Sequence, residues 1–233
     1  EAPEIAKVVA ERLGYDRVEG VVVDWGALIP GLQSGRFDVI AAGMYITPER
    51  AENVDFSNPT YAVGEAFLVQ KGNPKGLHSY QDVLEDPEAR LGVVQGTVEV
   101  GYAEDLGIPK EQVVIYGKNL EAVAGVQSGR IDAFAGTALT VREIINKLGA
   151  DADVEQADPF ENPVIDGEEQ LGYGAFAFRP EDDELRDSFN RVLAGFIGSE
   201  EHRALVEPFG FTEKELPGAV IAEELSQPKD GDD

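Results

Sequence analysis

The sequence predicts an α/β protein built as two similar lobes. Helical stretches alternate with short apolar strands along most of the 233 residues. The segment LQSGRFDVIAAG at 32–43 returns as VQSGRIDAFAGT at 126–137, so a helix end, an SGR turn and a buried strand recur with one spacing. The copies stand too far apart for a solenoid, which leaves two lobes on one plan. KGNPKGL at 71–77 lies between them, is rich in turn formers, and marks a boundary.

The elements come in this order. A helix covers 3–13, with apolar positions at Ile5, Val8, Val9 and Leu13, and Gly14 stops it. VEGVVV at 18–23 reads as a strand, and ALIPGLQS at 27–34 as a helix after the loop Asp24-Trp25-Gly26. A buried strand spans 37–42. Thr47 then suits an N-cap, and Pro48 the first helical position, where its missing N–H leaves no bond unmade. Residues 55–59 read as a loop and 65–70 as a strong strand. Beyond the boundary come a helix at 79–86, a strand at 91–96, a helix starting near Thr97, a strand at 112–116 and a helix at 119–128. A strand at 131–135 and a helix at 138–148 complete this run, followed by a loop or weak strand over 151–168. A strong strand at 172–179, helix from Glu181 to Arg203 and short packing structure over 209–216 close the pattern. The tail, 226–233, is polar and expected to be disordered.

This order gives a discontinuous lobe one, 1–69 plus 173–233, with lobe two, 70–172, inserted into it. The strands 65–70 and 172–178 are expected to cross between the lobes as paired hinges. A cleft between lobes is where a small ligand binds.

Charge removes several function classes. There are 45 acidic and 19 basic residues, a net charge of −26. Such a field disfavours nucleic acid and anionic membrane surfaces as partners. Because the acid is spread along the whole chain, it matches a surface adapted to high salt, where screening falls to a few ångströms; a moderately acidic mesophilic protein is the plainer alternative. Cysteine is absent, which excludes disulfides and thiolate chemistry, and the histidines, His78 and His202, are too far apart in sequence to suggest a triad or zinc site. No spacing of a metal, phosphate or cofactor motif is present, and no run is long enough to span a membrane. No signal peptide is visible, but the chain opens directly on a helix, so that carries no weight.

The candidate binding residues sit at strand ends, where ligands of open α/β sheets bind. In lobe one they are Trp25, Gly43, Tyr45 and Arg50. Arg50 falls in the first turn of its helix, where a cation opposes the helix dipole. It either holds an anion or is a surface arginine paired with a nearby acid. Trp25 and Tyr45 either line the ligand or pack the core. In lobe two, Gly96 and Thr97 end a strand and open a helix, and their N–H groups could hold a carboxylate oxygen or simply begin an ordinary helix. Gly136 and Thr137 occupy the repeat positions of Ala42 and Gly43. Acid pairs such as Asp182-Asp183 and Glu223-Glu224 read as solvated faces, and no acid–base constellation stands out.

The run DWGALIPGLQSGRFDVIAAGMYITPERAENVDFSNPTY, with FLVQKGNP, LGVVQGT, SGRIDAF and GYGAFAFRPEDDELRDSFNRVL, resembles type 2 periplasmic solute-binding proteins of the polar amino-acid uptake family over nearly the whole chain. GMYITPER resembles most the ectoine/hydroxyectoine-binding proteins of ABC importers. The resemblance implies the hinged two-lobed type 2 fold, each lobe a mixed sheet with flanking helices. It implies that Arg50 holds the ligand carboxylate, that Trp25 and Tyr45 face a delocalised cation, and that Thr97 also touches ligand. It further implies a monomer outside the cytoplasmic membrane, periplasmic or lipid-anchored, which delivers a small zwitterion to a membrane ABC permease and performs no reaction. Members carry a strand and loop before the first helix that supply a sheet strand, an aromatic wall and an acid for the ligand cation; that segment is missing from this sequence, which leaves an exposed sheet edge and the cation partner unnamed. The alternatives are a polar amino-acid-binding protein, a fold-related secreted dehydratase, which needs a cleft acid or base, and a receptor sensor domain, which needs transmembrane flanks.

Overall fold

The computed structural model describes residues 1–149 and 151–227. The chain begins with α1 (Ala2–Arg12), α2 (Leu28–Gln33), β1 (Ile40–Tyr45), α3 (Pro48–Ala51), β2 (Asp55–Phe56) and β3 (Tyr61–Val63). It continues through β4 (Glu65–Gln70), α4 (Tyr80–Glu85), β5 (Leu91–Val94), α5 (Val98–Asp105), β6 (Val113–Tyr116), α6 (Asn119–Gln127), β7 (Ala133–Thr137) and α7 (Ala138–Leu148). Then come β8 (Val154–Gln156), β9 (Val164–Ile165), β10 (Glu168–Glu169), β11 (Gly172–Phe178), α8 (Asp183–Phe196), α9 (Glu200–Val206) and α10 (Ala222–Leu225). The architecture is mixed α/β, as predicted.

The contacts divide the chain into two units. Unit one holds Glu1–Val23, Ala27–Ala62 and the chain from Gly172 onward; unit two holds Asp24–Gly26 and Val63–Leu171. The chain therefore passes from unit one to unit two at 62–63, not 69–70. The expected hinge strands do not cross: β4 lies wholly in unit two, because it is hydrogen-bonded on both sides there, and β11 lies wholly in unit one for the same reason. Of the expected tail, Ser226 and Gln227 come after α10 as a bend, and the rest falls outside the described residues.

In unit one, β11 is the central strand of a sheet ordered β1-β11-β2, with β3 also on β11. Both β1 and β2 run antiparallel to β11. Helices α1 and α8 pack against this sheet and each other, with α9 on α1, burying Ile5, Val9, Phe176, Phe178, Phe189 and Phe196 in one cluster. α1 ends as its sequence requires: Gly14 takes φ +84°, and the Tyr15 N–H returns to the Ala10 carbonyl at 2.9 Å. The single helix expected from Glu181 to Arg203 is broken at 197–199, where Gly198 turns with φ +78° and Ser199 caps α9. The strand expected at 18–23 does not form. A β-branched run becomes a strand only where an edge accepts it, and here Val22 is 97% exposed and the segment pairs with nothing among the described residues. The loop at 55–59 contains β2, which pairs through Phe56 and Asp55 with Ala177 and Phe178.

Unit two is a five-stranded sheet ordered β6-β5-β7-β4-β8. β5 runs parallel to β6 and β7, whereas β4 runs antiparallel to β7 and β8. The strand β4 shows why its sequence is apolar throughout: Phe67 and Val69 join the core that contains Tyr80, Val83 and Ala103, and Ala66 and Leu68 join the opposite core that contains Ala122, Val126 and Val141. Helices α4 and α5 thus cover one face and α6 and α7 the other, and both faces are dry.

The repeat is real down to the hydrogen bond. Gly35 and Gly129 have φ +72° and +67°. Arg36 N–H reaches the Gly31 carbonyl at 2.9 Å, and Arg130 N–H the Gly125 carbonyl at 2.9 Å. Ser34 and Ser128 each donate their hydroxyl to that same carbonyl, at 3.0 and 3.2 Å.

Candidate functional site

Unit one brings Gly43, Tyr45 and Arg50 together. The strand runs to Tyr45, not to residue 42, so Gly43 and Tyr45 lie within β1. The register slips between Ile40 and Met44, and Gly43 sits in that bulge with φ +62°. A side chain there would stand 2.8 Å from the Tyr61 hydroxyl, which itself donates to the Gly43 carbonyl at 2.8 Å. Tyr45 is 4% exposed, its ring 6.3 Å from that of Tyr61 in an edge-on arrangement. Gly172 leaves room for it, since a Cβ there would lie 1.8 Å from the Tyr45 ring.

Arg50 is positioned by local sequence. Thr47 caps α3 by accepting the Arg50 N–H at 3.2 Å, with Pro48 in the first turn. The helix is a single turn, so Arg50 belongs to its last turn as much as to its first, and the expected conflict with the helix dipole does not arise. The surface reading fails as well: Arg50 is 9% exposed, and its guanidinium donates to the Tyr45 carbonyl at 2.9 Å. That bond couples the orientation of the cation to the strand that carries Tyr45. On another side of α3, a pocket of about 580 Å³ opens among Pro48, Ala51, Asp55, Arg186, Asn190 and Ala222.

Unit two holds the other candidates, and Trp25 among them. Sequence order places Trp25 in lobe one; its contacts group it with unit two. The indole N–H donates to the Gly96 carbonyl at 3.1 Å. Gly96 has φ +79°, and a side chain there would meet the Gly26 Cα at 3.4 Å, so the two glycines let the backbones approach. The Thr97 N–H and hydroxyl both return to the Val94 carbonyl, at 3.2 and 2.8 Å, so both close the β5–α5 turn. Thr137 ends β7 and caps α7, accepting the Thr140 N–H at 3.1 Å, and Gly136 is buried mid-ladder opposite Ala66.

Sequence reasoning missed one cluster beside these residues. Glu65 and Glu99 are each 4% exposed. Glu65 stands opposite Thr137 in the β4–β7 ladder, and Glu99 lies two residues past Thr97 in α5. Burial, and then the charge and contact of Glu99, push Glu65 well above the usual carboxylate range. The hydroxyl of Tyr80, 1% exposed, is pushed up by burial and then by both carboxyls. Each residue reads innocently in sequence: Glu65 as a strand's polar end, Glu99 as a helpful acid in a first helical turn. Among the described residues, no group of His, Cys, Asp and Glu has the form of a metal site.

Comparison with known proteins bears directly on this arrangement. Residues 2–212 match the family model for bacterial extracellular solute-binding proteins, family 3. A probable amino-acid ABC transporter periplasmic-binding protein, y4tE of Sinorhizobium fredii, is 39% identical over 221 residues, covering 94% of this chain and 71% of that protein. The arginine-binding extracellular protein ArtP of Bacillus subtilis is 30% identical over 193 residues, 82% of this chain and 69% of its own. Among solved structures, EhuB in complex with hydroxyectoine superposes with a TM-score of 0.86 at 35% identity, covering 98% of this chain and 86% of that one. The ancestral amino acid-binding protein AncCDT-1, a precursor of cyclohexadienyl dehydratase, gives 0.75 at 31% identity, covering 89% of this chain and 84% of its own.

Proposed function

We propose that this chain, which belongs to the bacterial extracellular solute-binding proteins of family 3 and is the substrate-binding protein of an amino-acid-type ABC importer, takes a small zwitterion of the compatible-solute class, ectoine or hydroxyectoine. The observation that carries the proposal is Arg50: a buried guanidinium anchored on the Tyr45 carbonyl, on a capped single turn. A guanidinium keeps its charge at any physiological pH and offers a planar fork to a carboxylate. The likeness to EhuB with hydroxyectoine supports the ligand class. Trp25, with its indole N–H held by Gly96, supplies a second aromatic face for the ligand's cation. Gly43, Gly96, Thr97, Gly136 and Thr137 shape the backbone around the ligand in this proposal. Capture by hinge closure, action as a monomer and residence outside the cytoplasmic membrane belong to the same proposal. The relatives carry names such as periplasmic-binding and extracellular protein, and among the described residues no helix is long and apolar enough to cross a membrane.

A second reading is favoured by other relatives. Those named for arginine, histidine and lysine/arginine/ornithine bind polar amino acids, and such a ligand would use Arg50 for the same carboxylate. The relatives named so far are binding proteins, AncCDT-1 among them as the precursor of an enzyme. Calorimetry with ectoine, hydroxyectoine, arginine and histidine separates the readings. Arg50→Ala is expected to weaken the ligand that binds by about 2–5 kcal/mol, because a carboxylate is left unpaired. Equal binding by wild type and Arg50→Ala rejects the carboxylate assignment. Binding of an amino acid but not of ectoine keeps the transport role and rejects the solute class.

A further inference from the structure

The Glu65 carboxyl of unit two has no partner that fits an ionised state, and Glu99 is buried with it. Both oxygens of Glu65 and one of Glu99 are buried and receive no hydrogen bond from a donor group. No ion pair reaches either carboxyl among the described residues. Glu99 lies beside Glu65, and after burial its charge and contact are what raise the Glu65 carboxyl. The Tyr80 hydroxyl, also buried and without a partner, faces both. The ionisable neighbours are thus Tyr80 from α4 and, against its ring at 6.2 Å, Tyr102 from α5; neither supplies a positive charge. A buried, unpaired anion is expensive, and a buried polar atom without a partner calls for a physical reason.

Its position supplies one. Glu65 is opposite Thr137, and Glu99 is two residues past Thr97, so the pair lies beside the unit-two candidates for ligand contact. Solutes named for the relatives, hydroxyectoine, arginine and histidine, all contain a protonatable nitrogen group. We propose that Glu65, with Glu99 beside it, is the anionic subsite of unit two: the Glu65 carboxyl holds its proton when the protein is empty and releases it to solvent when the cationic group of a zwitterionic solute takes up the adjoining position at Thr97 and Thr137. This rests on the solute-binding function proposed above. The charge balances, since one proton leaves and the carboxylate left behind faces the ligand's cation. Uptake of a cationic ligand is then linked to proton release, and affinity rises with pH by up to tenfold per unit.

Calorimetry of ectoine and of L-arginine, in buffers of different ionisation enthalpy between pH 6 and 9, reads the released proton directly. Release by wild type, with loss of that release and at least tenfold weaker binding in Glu65→Gln and Glu99→Gln, is the expected result. Tyr80→Phe alters no charge and should keep the linkage. Ligand binding without proton release, or release that survives in Glu65→Gln, overturns the proposal. Melting curves without ligand test the proton on Glu65 separately. A carboxyl raised in the folded state makes the fold bind more protons than the unfolded chain, so stability is lost as pH rises above about 4.5, the unperturbed value. Glu1, raised to about 6 chiefly by burial, adds a loss of the same sign at lower pH. The wild-type curve should therefore fall more steeply towards alkaline pH than that of Glu65→Gln, and parallel curves reject a proton held by Glu65. If neither probe binds at any pH, the proposed function fails together with the ligand half of this inference, and the melting curves alone judge the proton.

Discussion

The two copies of the repeated segment share a turn and differ in the strand beyond it. In both, a glycine carbonyl collects an arginine N–H and a serine hydroxyl, and a second glycine takes positive φ. Even the close approach recurs: a side chain on Gly31 would meet Phe37 at 2.8 Å, and one on Gly125 would meet Ile131 at 3.1 Å. Past the turn the copies part. The second runs straight, pairing residue by residue from Ala133 to Thr137 with β4, and Thr137 at once caps the long helix α7. The first bulges at Gly43, carries on to Tyr45, and caps only the single turn α3 at Thr47. The copy with the regular ladder holds up a sheet; the copy with the bulge presents a tyrosine and an arginine. In the proposed function the bulged copy carries the residues for the ligand carboxylate, since bulges re-aim side chains.

Breaking that departure should cost most where the fit is tightest. Gly172→Ala drives a Cβ into the Tyr45 ring, 1.8 Å away, and is expected to destabilise the fold by about 3 kcal/mol in urea titration. Little change in midpoint would mean that Tyr45 is not held in its present place. Gly43→Ala comes next, at about 2–3 kcal/mol, from the strain of φ +62° plus the contact with Tyr61. Gly136→Ala is its control in the regular copy. There a Cβ meets Phe134 at an ordinary 3.5 Å, and the change should stay within about 1 kcal/mol of wild type. Similar values for the pair would erase the distinction between bulged and regular copies. The smallest effects are at the caps. Thr137→Ala should cost about 1 kcal/mol of stability, since it leaves the first turn of α7 without its acceptor, and should weaken the ligand less than the loss of Thr47 does. Thr47→Ala should cost less in melting yet weaken ligand binding several-fold, because Arg50 loses the turn that aims it. If Thr137→Ala weakens the ligand more than Thr47→Ala does, the division of labour between the copies is reversed.

The features legible in the sequence were local. The SGR turn, the glycine that ends α1 and the Thr47-Pro48 start of α3 depend on the φ each residue tolerates and on bonds reaching three to five residues, so a short window contains their cause. The apolar run of β4 announced a strong strand, and Arg50 and Tyr45 stood out by motif. Tertiary structure alone decided the rest. A Val-rich run at 18–23 became exposed coil because no strand edge receives it. Trp25 joined unit two through a bond to Gly96, 71 residues away, which no window around Trp25 contains. Glu65 and Glu99 look like ordinary surface acids until the fold buries them against each other. Desolvation and like-charge repulsion arise only between groups brought together by folding, so the sequence determined the scaffold of the two copies, and only the folded chain decided that the Glu65 carboxyl would be buried without a partner.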